Sequence, residues 1–398
     1  MDMLDLRFLV VEDHGFQRWM AASLLEGLGA QYVFTAADGH EALLVLEGRE
    51  PPVDVIVTDL EMPGMDGMEF IRHVAEAKYP AALIVASGME PGLIDSVKTM
   101  ARAYGADLLG AISKPVTAKK LSEALCSYGT ATRVKEPAQM PRLSVEDIAS
   151  ALKREEFEPF FQPKVESATQ AARGAEAIAR WRHPQHGMIR PQSFIDSMEE
   201  SGLIEPLTEI MVREAARNCR RWRSAGLDVT VSINLSLKLL SDVTLADRLF
   251  SLVDEQHLEP EHVIFEVTES AAATGLGPTL ENLSRLRMKG FGLSIDDFGT
   301  GYSSMQRLTR MPFTELKIDQ SFVQGASNQA SSRAVLESSL EMAQKLGIPA
   351  VAEGVETRNE MDLVRRLGCH QAQGYYVARP MDAGEFASWA TMRRKESA

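Results

Sequence analysis

Six short segments in the second half of the chain each end a β-like run on a carboxylate, an amide or a lysine. They read ARGAEAIARW, VSINLS, VIFEVTES, LSIDDFGTG, ELKID and VAEGVE, and the residues are Glu176, Asn234, Glu266, Asp296, Asp297, Lys317 and Glu353. The runs before them, such as Val263-Ile264-Phe265, are rich in β-branched and apolar types. A single acid there is an ordinary solvated strand end. A ring of them, delivered by successive strands with helices between, is what a barrel needs to hold divalent metal over its mouth.

The length of 398 residues predicts two domains, and 45% hydrophobic with 25% charged residues gives each a core. A net charge of −14 argues against a broad footprint for DNA or RNA, although bound metal can reverse the sign locally for a small anionic ligand. Cys126, Cys219 and Cys369 form neither a CxxC nor a paired framework, which fits inert core thiols in a reducing cytoplasm. No run reaches the roughly 18 apolar residues of a transmembrane helix. The start, MDMLDLRFLVVED, is acidic and unlike a signal peptide, so no membrane insertion is expected.

Residues 6–127 alternate strand and helix, with strands expected at 7–11, 32–36, 53–58, 82–86 and 108–112. Phe16, Met20, Leu24 and Leu28 repeat at helical spacing, and Gly29 suits a helix stop. This is a doubly wound (βα)5 α/β pattern with a parallel sheet. Residues 128–145 read as a linker, because SYGTATRVKEPAQMPR breaks both periodicities and holds two prolines. Ser144 with Asp147 resembles a capping box, and Ile148 and Leu152 share a face of the helix that follows. Over 146–393 the alternation resumes. Strands are expected at 159–165, 174–179, 230–235, 263–268, 292–296, 315–319, 350–354 and 371–375, which suits a (β/α)8 TIM-like barrel.

In the N-terminal half, Glu12 and Asp13 follow the first strand, Asp59 ends the third, Ser87 ends the fourth and Lys114 follows the fifth. The strand C-termini of a doubly wound sheet converge on one crevice. Three carboxylates there can hold Mg²⁺, while a hydroxyl and a lysine can bind phosphoryl oxygens. The ion offsets anion repulsion, so Asp59 can attack a phosphoryl donor. The segment resembles the receiver domain of two-component response regulators. That resemblance implies Asp59 as phosphoacceptor, Glu12 and Asp13 as Mg²⁺ holders, Ser87 and Lys114 as phosphoryl contacts, and a sensor histidine kinase as donor. One position departs from it: many receivers carry an aromatic switch residue three places before the lysine, where this chain has Ala111. Phosphorylation is therefore expected to act by another route, through the face of the fifth strand and its flanking helices or through a dimer contact.

Residues 155–390 resemble the EAL family of cyclic di-GMP phosphodiesterases. The namesake motif reads Glu176-Ala177-Ile178, a change of similar volume at a non-ligand position, with FQPKV before it and ARWRHPQHGMIRPQSFI after it. The order of the two halves most resembles RocR-type response regulators. Carboxylate and amide oxygens are hard ligands suited to Mg²⁺ or Mn²⁺. Glu176, Asn234, Glu266 and Asp296 can form one shell, and Asp297 with Glu353 can hold a second ion sharing Asp296. Paired ions clamp the attacking water and the leaving oxygen of an in-line displacement at phosphorus. Lys317 can hold that water or offset charge. Glu353 can accept its proton or ligate metal, and the two roles stay open. Arg180, four residues after Glu176, is placed to meet a phosphate. The resemblance adds Gln162 and Gln373 to the substrate pocket and Glu269 as anchor of the loop DDFGTGYSS, and it implies homo-oligomers. His183 and His186 tempt a metal reading, but the oxygen set already supplies ligands. RRWR at 220–223 reads as a solvated helix face.

Three functions compete. The first is phosphorylation-controlled hydrolysis of cyclic di-GMP to linear pGpG, favoured because every metal and catalytic position carries the family's residue type. A receptor that binds without hydrolysis usually lacks a ligand or the catalytic glutamate. Transcriptional control finds no helix-turn-helix behind the receiver, and a cyclase finds no GGDEF or GGEEF run.

Overall fold

The strand β1 (Arg7–Val11) divides its side chains between two cores, and that decides the N-terminal architecture. Phe8 and Val10 pack with Leu121 and Leu125 of the helix Ala118–Arg133. Leu9 and Val11 pack on the opposite face with Phe70, Ile71 and Val74 of the helix Gly67–Glu76. Burial on both faces is the mark of a parallel sheet sandwiched by helices. In the computed structural model, which describes residues 6–48, 51–88, 96–97, 99–101, 103–133, 143–269, 276–300 and 311–396, the chain forms two units, Met1–Gln139 and Met140–Ala398.

In the first unit β2 (Tyr32–Ala36), β3 (Val55–Asp59), β4 (Ala82–Ser87) and β5 (Leu108–Ser113) join β1 in a parallel sheet of order β2-β1-β3-β4-β5. The helix Gly15–Gly27 stops near Gly29, whose φ is +103°. Its buried residues are Ala21 and Leu25, while Phe16 is 59% exposed, so the Phe16–Met20–Leu24–Leu28 repeat is not the core stripe. Leu24 and Leu28 of the repeat still pack against the core, beside the fully buried Leu25. The helix Ala118–Arg133 also runs on through SYGTATR, the first part of the segment that reads as linker. Ser, Thr and Gly lower helix propensity without forbidding a helix. The rest of that segment, residues 134–142, lies outside the described residues.

The second unit opens with the helix Val145–Lys153, whose capping box pairs Ser144 with Asp147 and whose Ile148 is buried. Eight strands then close a barrel: β6 (Phe157–Glu166), β7 (Ala172–His183), β9 (Thr230–Asn234), β10 (Val263–Thr268), β11 (Gly292–Phe298), β12 (Glu315–Ile318), β13 (Ala350–Ala352) and β14 (Gln371–Gln373). Between them β8 (Gly187–Ile189) forms a short antiparallel partner on the end of β7. The barrel differs from an all-parallel (β/α)8 in one strand: β6 runs antiparallel to both β14 and β7. Only residues 167–171 separate β6 from β7, too few for a helical crossover, so the two strands must pair as a hairpin.

RRWR is not a uniformly solvated face. Trp222 is buried, with its ring 4.8 Å from that of Phe161 and 4.4 Å from that of Phe386, while Arg223 reaches Asp228 at 2.9 Å. The sequence hides this because one apolar residue among three arginines carries no periodic signal.

Past β14 the chain turns back tightly. The Val355 N–H donates to Gln373 O at 3.0 Å, and the Tyr376 N–H donates to Val355 O at 2.9 Å. A Cβ on Gly374 would meet the Val355 carbonyl oxygen at 2.2 Å and its nitrogen at 2.3 Å, both backbone atoms that cannot swing away. Gly374→Ala is expected to destabilise the barrel by about 1–3 kcal/mol through forced overlap. The barrel's transition in a calorimetric melt measures this, and an unchanged melt would show that the turn relaxes freely.

Candidate active site

Side chains alternate along a strand, so residues two apart share a face. The interior face of this barrel is polar on strand after strand. It carries Gln162 and Lys164 on β6, Glu176 on β7, Ser232 and Asn234 on β9, Glu266 on β10, Ser294 and Asp296 on β11, Glu315 and Lys317 on β12, and Gln373 on β14. Glu353 follows directly on β13, its N–H donating to Ile318 O at 3.1 Å. Glu176, Asp296, Asp297, Lys317 and Glu353 line one cleft of about 470 Å³, and Asn234 and Glu266 join the set through contacts with Glu176 and Lys317.

Lys317 is 1% exposed and sits at the centre of the set. Its Nζ lies 2.6 Å from Glu266 Oε2, 2.7 Å from Glu353 Oε1, 3.0 Å from Asp296 Oδ1 and 3.5 Å from Glu176 Oε2. Asn234 Nδ2 donates to Glu176 Oε1 at 2.7 Å. Gln373 Nε2 donates to Glu176 Oε2 at 2.7 Å and to Gln162 Oε1 at 3.3 Å, so the three residues form one chain of bonds. Arg180 is half-buried on β7, stacked 5.9 Å from the Phe160 ring centroid, and burial followed by the charge of Arg190 lowers its pKa.

Asp296 and Asp297 are adjacent, and on a regular strand they would point to opposite faces. The register of β11 against β12 shifts between Ile295 and Phe298, and Asp297 has φ +55°. This bulge re-aims the second aspartate. Oxygens of Asp296, Asp297 and Glu353 consequently lie within 4.8 Å of one another. The loop behind the bulge is held by Glu269, whose Oε2 accepts from the Gly299 N–H at 2.9 Å. The remainder of DDFGTGYSS, from Gly301 on, lies outside the described residues.

Crowding of carboxylates shows in their acidities. Burial, opposed by Lys317, pushes the Glu266 carboxyl up to about 7. Burial and the neighbouring Asp296 push Asp297 up to about 6, and burial holds Glu353 well above the usual carboxylate range. Burial alone would depress Lys317, but Glu176, Glu266, Glu353 and Asp296 outweigh it and raise its pKa. An all-oxygen donor set with this surplus of negative charge fits a hard divalent cation.

The N-terminal unit repeats the arrangement on a smaller scale. Oxygens of Glu12, Asp13 and Asp59 lie within 4.8 Å of one another. Lys114 Nζ reaches Glu12 Oε2 at 2.8 Å and Asp59 Oδ2 at 2.7 Å. Burial lowers the Lys114 pKa, but its bonds to Asp59 and Glu12 outweigh that and raise it. Ser87 is buried at the end of β4, and its carbonyl accepts from the Lys114 N–H at 2.9 Å. Ala111, on β5, is partly buried against the hydrophobic core.

Four interior residues carry no role in the sequence reading: Lys164, Ser232, Ser294 and Glu315. Lys164 sits in FQPKV and Glu315 in ELKID, each two residues from a recognised position, and that alternation is the signal that could have found them. Gln192, Glu356 and Tyr375 also line the cleft, from loops whose sequence gives no period to read. His183 is engaged locally, its Nδ1 accepting from the backbone N–H groups of Gln185 and His186.

Residues 8–126 match the response regulator receiver domain and residues 145–380 match the EAL domain. The cyclic di-GMP phosphodiesterase RocR of Pseudomonas aeruginosa is 37% identical over 393 residues, covering 98% of this chain and 100% of RocR. The bifunctional diguanylate cyclase/cyclic di-GMP phosphodiesterase MucR of the same organism is 32% identical over 92% of this chain, which spans about half (52%) of MucR. The solved PaMucR phosphodiesterase in complex with cyclic di-GMP is 38% identical, covers 61% of this chain and 98% of its own, and superposes with a TM-score of 0.59.

The raised carboxyls give a sign for pH dependence. Glu266 and Asp297 favour the neutral form, so without an ion they contribute stability at low pH that is lost as pH rises through about 6 to 7. An ion must displace those protons. Mn²⁺ affinity at the barrel is expected to climb from roughly pH 5.5 to 8 and then level, with proton release measured by titration calorimetry in two buffers. A flat profile would contradict this.

Proposed function

The chain belongs to the EAL domain family and carries a response regulator receiver domain ahead of its barrel, and from that premise we propose that it hydrolyses cyclic di-GMP to linear pGpG under control of a phosphoryl group on Asp59. One observation carries the reading. Asp296, Asp297 and Glu353 converge within 4.8 Å, with Lys317 2.7 Å from Glu353, in a chain similar to RocR over 98% of its length.

In this reading Glu176, Asn234, Glu266 and Asp296 would hold one Mg²⁺ or Mn²⁺, and Asp297 with Glu353 would help hold a second. When bound, the ions supply Lewis acidity that acidifies the attacking water and screens the phosphate. Glu353, buried and more basic than an ordinary carboxylate, takes the proton from that water. The water oxygen bonds to phosphorus, the bond from phosphorus to the ribose 3′ oxygen breaks, that oxygen takes a proton from solvent and leaves as a hydroxyl, and the ring opens to leave one phosphate as a monoester. Lys317 positions Glu353 and offsets charge at the reacting phosphate. Arg180 meets a phosphate oxygen, and Gln162 and Gln373 orient the substrate. Support for Gln373 comes from its place in the cleft lining beside Glu176, to which its Nε2 donates at 2.7 Å. Glu269 anchors the loop that sets Asp297.

In the receiver, Asp59 accepts the phosphoryl group from a sensor histidine kinase, Glu12 and Asp13 would hold Mg²⁺, which when bound would offset the anionic charge, and Ser87 and Lys114 bind the phosphoryl oxygens. Because Ala111 offers no ring to swing, the signal travels by another route, through the β5 face or a contact within a homo-oligomer. The protein works in the cytoplasm. In favour of this, burial pushes the Cys219 and Cys369 thiols up to about 12, which leaves them unreactive, and among the described residues no helix is long and apolar enough to cross a membrane.

Chromatography of cyclic di-GMP incubated with the full chain and Mg²⁺ should show pGpG, at a rate that changes when beryllofluoride loads Asp59. Turnover indifferent to beryllofluoride would remove the proposed control, and tight binding without turnover would make the chain a receptor. Glu353→Ala should abolish turnover while leaving cyclic di-GMP binding largely intact. Joint loss of binding would assign Glu353 chiefly to metal.

A further inference from the structure

Beneath the mouth lies a second polar layer that the reaction as described does not use. Lys164 is 0% exposed on β6, two residues past Gln162 and so one layer deeper on the same interior face. Its Nζ lies 3.4 Å from Glu266 Oε1 and 3.1 Å from Glu315 Oε1, and it donates to Ser232 Oγ. Glu315 is 3% exposed and Ser232 is fully buried. Glu266 is thus gripped from both sides, Oε1 from below by Lys164 and Oε2 from above by Lys317 at 2.6 Å. A carboxylate pinned at both oxygens cannot rotate about its terminal bond. Which oxygen faces the mouth is therefore set by the layer below.

We propose that Lys164 is a positioning residue: it orients the Glu266 carboxylate toward the divalent ion, with Glu315 and Ser232 fixing Lys164 in turn. This rests on the phosphodiesterase reading, in which Glu266 is a metal ligand. Lys164 reaches neither the cleft nor the reacting atoms, so it acts only through Glu266. The pair with Glu315 keeps the ammonium from drawing Glu266 downward. Lys164 Nζ lies 3.1 Å from Glu315 Oε1 and 3.4 Å from Glu266 Oε1, so its charge is shared between the two carboxylates. Partners that orient a metal ligand from outside the coordination sphere characteristically change metal affinity about 10–100-fold when removed.

The competing explanation is a plain Lys164–Glu315 structural pair. Lys164→Met alone would strand Glu315 without a counterion, so the informative variant is Lys164→Met with Glu315→Gln, which removes both charges and keeps the volume. All proteins carry Asp13→Asn to weaken the receiver's ion site, so that Mn²⁺ counted by electron paramagnetic resonance reports the barrel. The double variant is expected to melt near its parent, bind Mn²⁺ about tenfold or more weakly, and lose kcat at saturating Mn²⁺ with little change in KM. A well-folded double variant whose Mn²⁺ isotherm overlays the parent's would overturn the proposal. Should the double variant misfold, Ser232→Ala decides. A weaker isotherm in the same direction supports the role of Lys164, and an unchanged one removes it. A parent that binds no Mn²⁺ and turns over no substrate would sink the phosphodiesterase reading itself, and this inference with it.

Discussion

One buried ammonium organises the barrel mouth. Lys317 Nζ stands within 3.5 Å of oxygens from Glu176, Glu266, Asp296 and Glu353, which come from four different strand ends. Four carboxylates converging in a low-dielectric interior would repel one another, and the lysine at their centre converts that repulsion into a set of short contacts. Removing one partner from a buried ion pair costs about 3–5 kcal/mol, because the other charge is left without water or counterion. The surrounding hydrogen bonds, from Asn234 and Gln373 to Glu176, then fix carboxylate rotation rather than supply net attraction.

Strand geometry alone could not place Asp296 and Asp297 at the same site. Regular alternation would have sent one of them into the surrounding apolar layer, where a charged group is very unfavourable. The register shift at Ile295/Phe298 and the left-handed backbone of Asp297 solve this locally, at the expense of an uncommon conformation for a non-glycine residue. Strain of that kind persists only where the surroundings over-determine it. Here Glu269 does so by accepting the Gly299 N–H. The anchor and the bulge are therefore one device.

Much of this was legible in the chain. Residue type at strand ends brought out the receiver crevice and nearly the whole ring of the barrel, because a carboxylate closing an apolar run is a local signal. What stayed hidden depends on partners far off in sequence. Lys164 in FQPKV looks like any exposed lysine until β6 is seen to face Ser232, Glu266 and Glu315 across the interior. The reversal of β6 follows from a connection length, not from any residue in the strand. Trp222 among three arginines reads as solvent-facing until Phe161 and Phe386 arrive around it. The repeat Phe16–Met20–Leu24–Leu28 marks a helix without fixing its face: Leu24 and Leu28 pack against the core, while Phe16 is exposed and Ala21 and Leu25 are the buried residues.

The two units hold the same physical answer at different sizes. In the receiver, Lys114 bridges Glu12 and Asp59; in the barrel, Lys317 bridges four carboxylates and Lys164 braces from below. The balance of charge differs between them. Among the described residues the barrel interior gathers Glu176, Glu266, Asp296, Asp297, Glu315 and Glu353 around Lys164 and Lys317. That surplus has only two outlets, protons or cations. Burial raises the pKa values of Glu266, Asp297 and Glu353, which favours the first outlet in the absence of an ion. Cations must be small, hard and multiply charged to satisfy so many oxygens in so little space. The interior therefore gives up the apolar layers that fill most barrels of this kind and holds in their place an electrostatic deficit. A divalent ion can cancel that deficit, and doing so also removes the repulsion an anionic phosphodiester would meet at the mouth.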